Sequence, residues 1–559
     1  MSNSNGTVAV LIETHGKQAY LFDTSRRRES VGASQLVHEV ARWSRAALDE
    51  LVGDDAVGAI DAGAQAEVLV ETSGTFLAFV RDRDVARQVV QRVTLQALRD
   101  APGLGVSGGI SEPFAWGQGS ASTAVSEAFA AVGHNRVARP APLARFPVLP
   151  ITALCPSSAL PVSDFVPIGA RERKTLEARS AVSAARWRAH GRAVGRLAGL
   201  TGLDRKHLDG AARRLDGNQP GSPSRVAVVH ADGNGLGGVF TQLPELLRAA
   251  RHGAPVTDGE YAAAYRDLSA ALDEAVDEAF QAAISTLVEI TGVEPDVLPL
   301  VLAGDDITFI TEATVAATLT RTFLTGMIRR VAADPRAADL LRARPGGDPR
   351  IGMAGAMVVT TPHFPFSAAY QLCEELVTEV AKQAKDRVVD TEGHPVPCLS
   401  LALHLQLDSS ATGVDQLRAV ADQAGRHLTA MPYVDRVEIS AVQRELSERS
   451  AQWLRNRDLD GLEGLASALV EKDEDNRRVR PSAQLHELRA RLRPYPAAAD
   501  EYFGRLLAAD AARWQPLTED PGSLFSVRPA DPPTTRFADA LALGPLLAQP
   551  ATSREGSGA

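Results

Sequence analysis

Short apolar runs alternate with longer amphipathic stretches along this chain, and the same order of elements is read twice. Residues 7 to about 135 read β-α-β-β-α-β. A strand from Val8 to Phe22, bent near Gly16, leads to a helix from about Ser34 to Leu51, with Ser34 as its expected N-cap. The alternating runs AEVLVET and TFLAFVRD are separated only by Ser73 and Gly74, a hairpin spacing. A helix over Val85 to Leu98 then precedes GLGVSGGIS, a strand broken by glycines.

Residues 225 to about 408 repeat that order. RVAVVHA predicts a buried strand, Tyr261 to Ile290 a long helix, and LPLVLAGDDITFITE a hairpin pivoting on Gly304 and Asp305. A helix over 313–333, the strand IGMAGAMVV, a helix over 366–386 and the strand SLALHLQL complete the copy. The pattern predicts an α+β protein with two ferredoxin-like units, 1–139 and 223–411. Between them, 140–222 is expected to be a Pro-rich loop followed by a basic helical stretch. Residues 412–516 read as a helical domain, and 517–559 as a loosely ordered tail with one helix at 536–548.

Composition narrows the class. A length of 559 residues suits about three or four units of ordinary size, and 45% hydrophobic residues can build real cores. The net charge of -10 argues against general polyanion binding, so any RNA contact needs a local patch. Residues 171–216 offer one: twelve Lys or Arg against five acids, with Trp187 among them as a stacking surface. The alternative is a solvated helical face with a core tryptophan. Cys155, Cys373 and Cys398 are widely spaced with no CxxC, which predicts no disulfide framework and a reducing, cytoplasmic setting. No zinc is expected, and Cys373 is assigned to packing. The N-terminus lacks a basic region followed by an apolar core, and no run of eighteen apolar residues occurs. Neither a signal peptide nor a membrane partner is expected.

The segment VVHADGNGLGGVF (228–240) carries the candidate chemistry. Gly233, Gly235 and Gly238 form a GxGxxG after an apolar strand, the fingerprint of a dinucleotide-binding fold. That reading also needs glycines that open a helix directly and an acid about twenty residues on, at the end of a second parallel strand. Here LRAARHGAPVTDGEY has no strand character, and VFTQLP follows the glycines. The second reading puts Asp232 to work and lets Gly233, Gly235 and Gly237 make room for a triphosphate. Asp305 and Asp306 sit at a hairpin tip with apolar flanks, where two carboxylates repel unless a cation compensates. An Asp pair at a tip can also be plain turn chemistry. With Asp232 on a neighbouring strand, three carboxylates could hold two divalent ions about 4 Å apart. His230, two residues before Asp232, would share its face.

At these residues the chain resembles the palm-domain polymerase and cyclase family. The closest likeness is to the large, cyclic-oligoadenylate-synthesising subunit of type III CRISPR effector complexes, and a more distant one to GGDEF diguanylate cyclases. The family's D-x-D-x-L-G pattern is matched by DGNGLG, Asp232 to Gly237. Its GGDD hairpin is matched by Ala303-Gly304-Asp305-Asp306. Its Ala-Lys near the triphosphate is matched within CEELVTEVAKQAK, offering Lys382 and Lys385 on one helical face. KQAYLFDTSRRRESVGASQLV resembles the opening of the family's first palm, where Ser34 would contact a nucleotide. That palm reads ETSGTF in place of an acidic hairpin, so catalysis there is not expected.

The resemblance implies a metal-dependent nucleotidyltransferase or cyclase joining nucleoside triphosphates, ATP favoured, into a cyclic or short oligonucleotide messenger for antiviral defence. Two Mg²⁺ or Mn²⁺ ions would be held by Asp232, Gly233, Asp305 and Asp306. Nucleotide would be bound by Gly233, Asn234, Gly235, Leu236, Gly237, Gly304, Lys382 and Lys385. An RNA or protein activator and membership of a larger defence complex are further implications. The alternative is a catalytically weak scaffold subunit of an RNA-guided or other defence complex. Asn234 and Ala303 depart from the family pattern, and no His-Asp dipeptide of the family's nuclease domain occurs.

Overall fold

The computed structural model describes residues 6–548 except 25, 73, 139, 169–174, 218, 407–412, 424, 438–444 and 529–530. Ser73 of the expected hairpin turn, and Arg171, Arg173 and Lys174 of the basic stretch, lie outside the described residues, as does the end of the tail from 549.

The first unit contains β1 (Val8–His15), α1 (Lys17–Phe22), α2 (Arg27–Val52), β2 (Ala66–Thr72), β3 (Thr75–Val80), α3 (Arg83–Asp100), β4 (Gly105–Ile110) and α4 (Ala121–Ala138). Its sheet runs β2-β3-β1-β4, and all its pairs are antiparallel. This is the ferredoxin-like order, with the two central strands completely buried over Val8–Ile12 and Phe76–Phe79. The expected strand from Val8 to Phe22 ends at His15 instead. Gly16 takes φ 64°, a left-handed conformation, and turns the chain into α1. Tyr20, Leu21 and Phe22 are buried there, and Phe22 packs edge-on against Phe366 of the second unit. Helix α2 begins at Arg27, so Ser34 lies inside the helix and caps nothing.

The segment between the units is not simply loop and helix. It forms the hairpin β5 (Asp164–Ile168) and β6 (Thr175–Arg179), then α5 (Ala181–Thr201) and α6 (Arg205–Arg214). Helix α5 packs along α2. Arg179 and Glu29, both fully buried, form an ion pair of 3.1 Å, and Glu29 also accepts from Ser183 (2.8 Å) and Thr24 (2.9 Å). Arg192 holds Glu39 at 2.7 Å, and Arg214 is bonded to Asp296 (Nε–Oδ2 2.8 Å). Trp187 lies under the guanidinium of Arg28 at 4.2 Å. Many of the arginines expected to form an exposed basic face thus neutralise acids of neighbouring elements.

The second unit comprises β7 (Val226–Asn234), α7 (Leu236–Thr241), α8 (Leu243–Ala250), α9 (Asp258–Thr291), β8 (Val297–Ala303), β9 (Asp306–Glu312), α10 (Ala316–Ala333), α11 (Pro335–Leu341), β10 (Gly352–Thr360), α12 (Phe366–Glu379), α13 (Ala384–Arg387) and β11 (Leu399–Leu405). Next come α14 (Val414–Ala421), the two-residue strands β12 (Asp422–Gln423) and β13 (Arg426–His427), and β14 (Tyr433–Asp435). The sheet order is β14-β11-β10-β7-β9-β8. Strand β7 is antiparallel to both neighbours, β9 and β10, which excludes the parallel dinucleotide-binding arrangement. The glycines do open a helix directly, the six-residue α7, contrary to the sequence expectation. Through β14, the segment after 412 contributes a strand to this sheet, so it is not wholly helical.

Helices α15 (Glu448–Leu454), α16 (Leu459–Val470), α17 (Ser482–Leu492), α18 (Pro496–Ala509) and α19 (Ala511–Trp514) follow. Within its described residues, the segment after 517 is built, not loose. It contains β15 (Ser526–Arg528), β16 (Asp531–Thr534) and α20 (Phe537–Leu543), and buries Phe525, Phe537, Leu543 and Leu546. Among the described residues, no helix is long and apolar enough to cross a membrane.

The two units meet along α9. It lies against β2 of the first unit. Asp258 at its start accepts from the backbone N–H groups of Gly117 (2.7 Å), Gly119 (3.2 Å) and Ala121 (2.7 Å), which belong to the first unit.

Candidate active site

Strand β7 ends where the β8–β9 hairpin turns, and this places Asp232 beside Asp305 and Asp306. The pairing Ala231↔Ile307 is the last of the β7–β9 ladder. Continued by two residues, it sets Asp232 opposite Asp306 and Gly233 opposite Asp305. Position 233 needs glycine for space: a Cβ there would lie 2.6 Å from Asp305 Cβ and 2.7 Å from Leu236 Cδ1. Gly304 (φ 57°) and Gly235 (φ 80°) need it for their left-handed backbone. Gly237 needs it for neither reason, because no heavy atom lies within 4 Å of a Cβ there.

The electrostatics are strained toward the acidic side. Burial, reinforced by the charge of Asp232, pushes the Asp305 carboxyl up to about 6. Burial also raises Asp306, opposed by His230 and Lys17 and reinforced by Asp232. Lys382 forms an ion pair with the Asp232 carboxylate. Helix α12 stops at Glu379, and Lys382 lies in the 3-10 turn Ala381–Gln383. The continuous helix expected over 366–386 is therefore broken. Lys385, in α13, is exposed.

His230 is buried, and its Nδ1 lies 3.1 Å from both the Ile307 carbonyl and the Thr308 hydroxyl, and 4.0 Å from an Asp306 oxygen. A carbonyl only accepts, so Nδ1 carries the proton in the bond to Ile307. The ring packs edge-on against Tyr370, centroids 5.3 Å apart. Cys373 points its Sγ to the Val228 and Ala356 carbonyls in the core. Ser34 is remote from solvent at 4% exposure, and its hydroxyl accepts from Arg196 (3.1 Å).

The structure does not gather Asp232, Asp305 and Asp306 into a finished cage. Among the described residues, no group of three or more His, Cys, Asp or Glu side chains is disposed to hold a metal ion. Asp305 sits in the turn and Asp306 opens β9, and Lys382 takes the Asp232 carboxylate. The donor set still fits a hard divalent cation. All its members offer oxygen, burial and the neighbouring Asp232 charge disfavour ionisation of Asp305 and Asp306, and among the described residues the buried Asn234 Oδ1 has no hydrogen-bond partner.

Three residues went unnoticed in sequence. Lys17 comes from the first unit, immediately after the Gly16 turn, and eases ionisation of Asp306. Tyr370 walls the site beside His230. Asp273 on α9 accepts from the Gly304 N–H (3.0 Å) and the Thr72 hydroxyl (3.2 Å). Burial pushes its carboxyl up to about 6. Only Asp273 had a sequence signal, an acid recurring with Asp277 one turn apart on a long helix.

No protein-family model matches the chain, and no curated protein is recovered as a relative. Solved structures are similar to it. An apo Csm1–Csm4 cassette shares 11% identity over 97% of this chain and 65% of that chain, with a TM-score of 0.44. The Csm1–Csm4 subcomplex of a type III-A CRISPR-Csm interference complex shares 11% over 90% of this chain and 65% of that one, with a TM-score of 0.43. Csm1 in T.onnurineus shares 12% over 97% of this chain and 70% of that one, with a TM-score of 0.44. The chain thus spans just under two thirds, 65%, of the length of the first of these structures.

Proposed function

We propose that the chain is a metal-dependent nucleotidyltransferase that joins nucleoside triphosphates, ATP favoured, into a cyclic or short linear oligonucleotide messenger in antiviral defence. The observation that carries this reading is the meeting of Asp232 with the Gly304-Asp305-Asp306 turn across a glycine at 233 that leaves no room for a side chain. Asp232, Asp305, Asp306 and the Gly233 backbone would hold divalent cations. Such a pair, when bound, supplies activation of a 3′-hydroxyl and charge neutralisation at the leaving pyrophosphate. The protein's own part is positioning. The hairpin fixes its acids, Lys382 moves from Asp232 to a phosphate, and Lys17 and His230 temper the charge of Asp306.

The test is incubation of the protein with all four nucleoside triphosphates and Mn²⁺, with products read by mass spectrometry and pyrophosphate release. Wild type should yield oligonucleotide, and the double variant Asp305→Asn, Asp306→Asn should yield none while remaining folded. Wild-type turnover in that variant rejects the mechanism.

A second reading, a weakly catalytic scaffold subunit of an RNA-guided or other defence complex, is favoured by the absence of a ready-made three-ligand cage among the described residues. It predicts co-purifying RNA or protein and no product from any nucleotide mixture, with or without those partners.

A further inference from the structure

One carboxylate oxygen joins the hairpin tips of both units. Asp273 Oδ1 accepts from the backbone N–H of Gly304, the residue before the acidic pair, at 3.0 Å. The same oxygen accepts from the hydroxyl of Thr72, the last residue of β2, at 3.2 Å. Thr72 closes the β2–β3 hairpin, the first unit's counterpart of the β8–β9 hairpin, and that hairpin carries no acid pair. The long helix α9 is fixed on the first unit at three further points. Arg266 pairs with Glu67 of β2 at 2.6 Å, Asp258 accepts three N–H groups, and the Gly259 site abuts Asp61. Asp273 therefore sits on an anchored rod between two turns that otherwise belong to separate sheets.

We infer that Asp273 is a positioning residue through which the first unit's β2–β3 hairpin, which lacks an acid pair at its tip, sets the conformation of the Gly304–Asp305–Asp306 turn. The inference rests on the catalytic reading above for its consequence on rate, but the physical tie stands independently of it. A charge-assisted N–H bond holds the left-handed Gly304 in place. Asp305 and Asp306 follow directly in the chain, so rotation of the Gly304 peptide moves both carboxylates. Thr72 orients the shared oxygen from the other side, so displacement of the first unit's hairpin is transmitted to the acidic turn. Asp273 itself does not touch the reacting atoms.

The experiment compares Asp273→Ala, Asp273→Asn and Thr72→Val with wild type, using the full chain. Amide hydrogen exchange of a peptide spanning 300–308 reads the tie, and peptides from α9 serve as the control for loosening of the helix. Rates of product formation at graded ATP with Mn²⁺ read its consequence. Asp273→Ala should speed exchange at 300–308 at least tenfold and lower kcat at least tenfold, with KM changed less than twofold. Asp273→Asn keeps an acceptor oxygen and should stay within threefold of wild type in both. Thr72→Val should speed exchange at 300–308 about threefold without altering α9. Wild-type exchange at 300–308 in Thr72→Val, or Asp273→Asn as impaired as Asp273→Ala, overturns the inference. If wild type makes no product even with its co-purifying RNA or protein partners added, the catalytic reading fails while the exchange results still decide the tie.

Discussion

The ammonium of Lys382 rests on the carboxylate of Asp232, two residues 150 positions apart, and bridges the turn after α12 to the end of β7. Lys382 therefore supplies positive charge to a cluster of three carboxylates drawn from β7, the turn after β8 and the start of β9. Its place in a 3-10 turn, outside α12, lets the side chain swing without unwinding that helix.

Replacing Lys382 by Met removes that charge and should weaken ATP binding by about tenfold, about 1.4 kcal/mol. The pair is partly exposed, so little global stability is at stake. Product formation at graded ATP, with near-ultraviolet circular dichroism as the fold control, reads the effect. An unchanged KM would leave Lys382 as a partner of Asp232 alone.

Gly233→Ala should disable the site while Gly237→Ala leaves the fold untouched. A methyl group at 233 overlaps Asp305 Cβ at 2.6 Å, whereas at 237 it meets nothing within 4 Å. Forced overlap of this kind costs about 1–3 kcal/mol, absorbed here by displacing the acidic turn. Thermal unfolding should show a lower midpoint for Gly233→Ala only, with product formation down more than tenfold. Equal midpoints for the two variants would mean that the turn yields freely.

His190, 2% exposed on α5, predicts a pH dependence. Burial, followed by the charge of Arg28, lowers its pKa from 6.5 to about 4. The folded state thus binds fewer protons than the unfolded state between those values. Stability is full above pH 6.5 and falls as pH drops toward 4, by on the order of 3 kcal/mol. Unfolding midpoints at pH 7 and pH 4.5 should fall further for wild type than for His190→Gln. Parallel falls would assign the acid sensitivity elsewhere.

Features governed by a few adjacent residues were legible in sequence. The runs around Gly74 and around Gly304-Asp305 are short and rich in apolar and β-branched residues, each interrupted by a glycine-containing turn sequence, and both fold as the expected hairpins. The order β-α-β-β-α-β followed from such runs. The α1 segment misled because KQAYLF is short enough to suit either state. Burial of Phe22 against Phe366 and Tyr370, more than 300 residues later, accompanies the helix. Proline and alanine in the last segment suggested looseness, yet Phe525, Phe537 and Leu543 find apolar partners that no local window contains.

Charge was the least legible property. The arginines between the units read as either a polyanion-binding patch or a solvated face, but Arg179 closes on Glu29, and Arg192 on Glu39, both on α2. The sequence by itself determined which residues could form strands, helices and turns, and which acids stood at turn positions, because these depend on neighbours a few positions away. Only the tertiary structure decided that Lys382 neutralises Asp232, that Lys17 of the first unit reaches the second unit's acids, and that Asp273 ties two hairpins together. Hydrogen bonds and ion pairs act over a few ångströms, and residues far apart in sequence come within that range only after the sheets and α9 have packed.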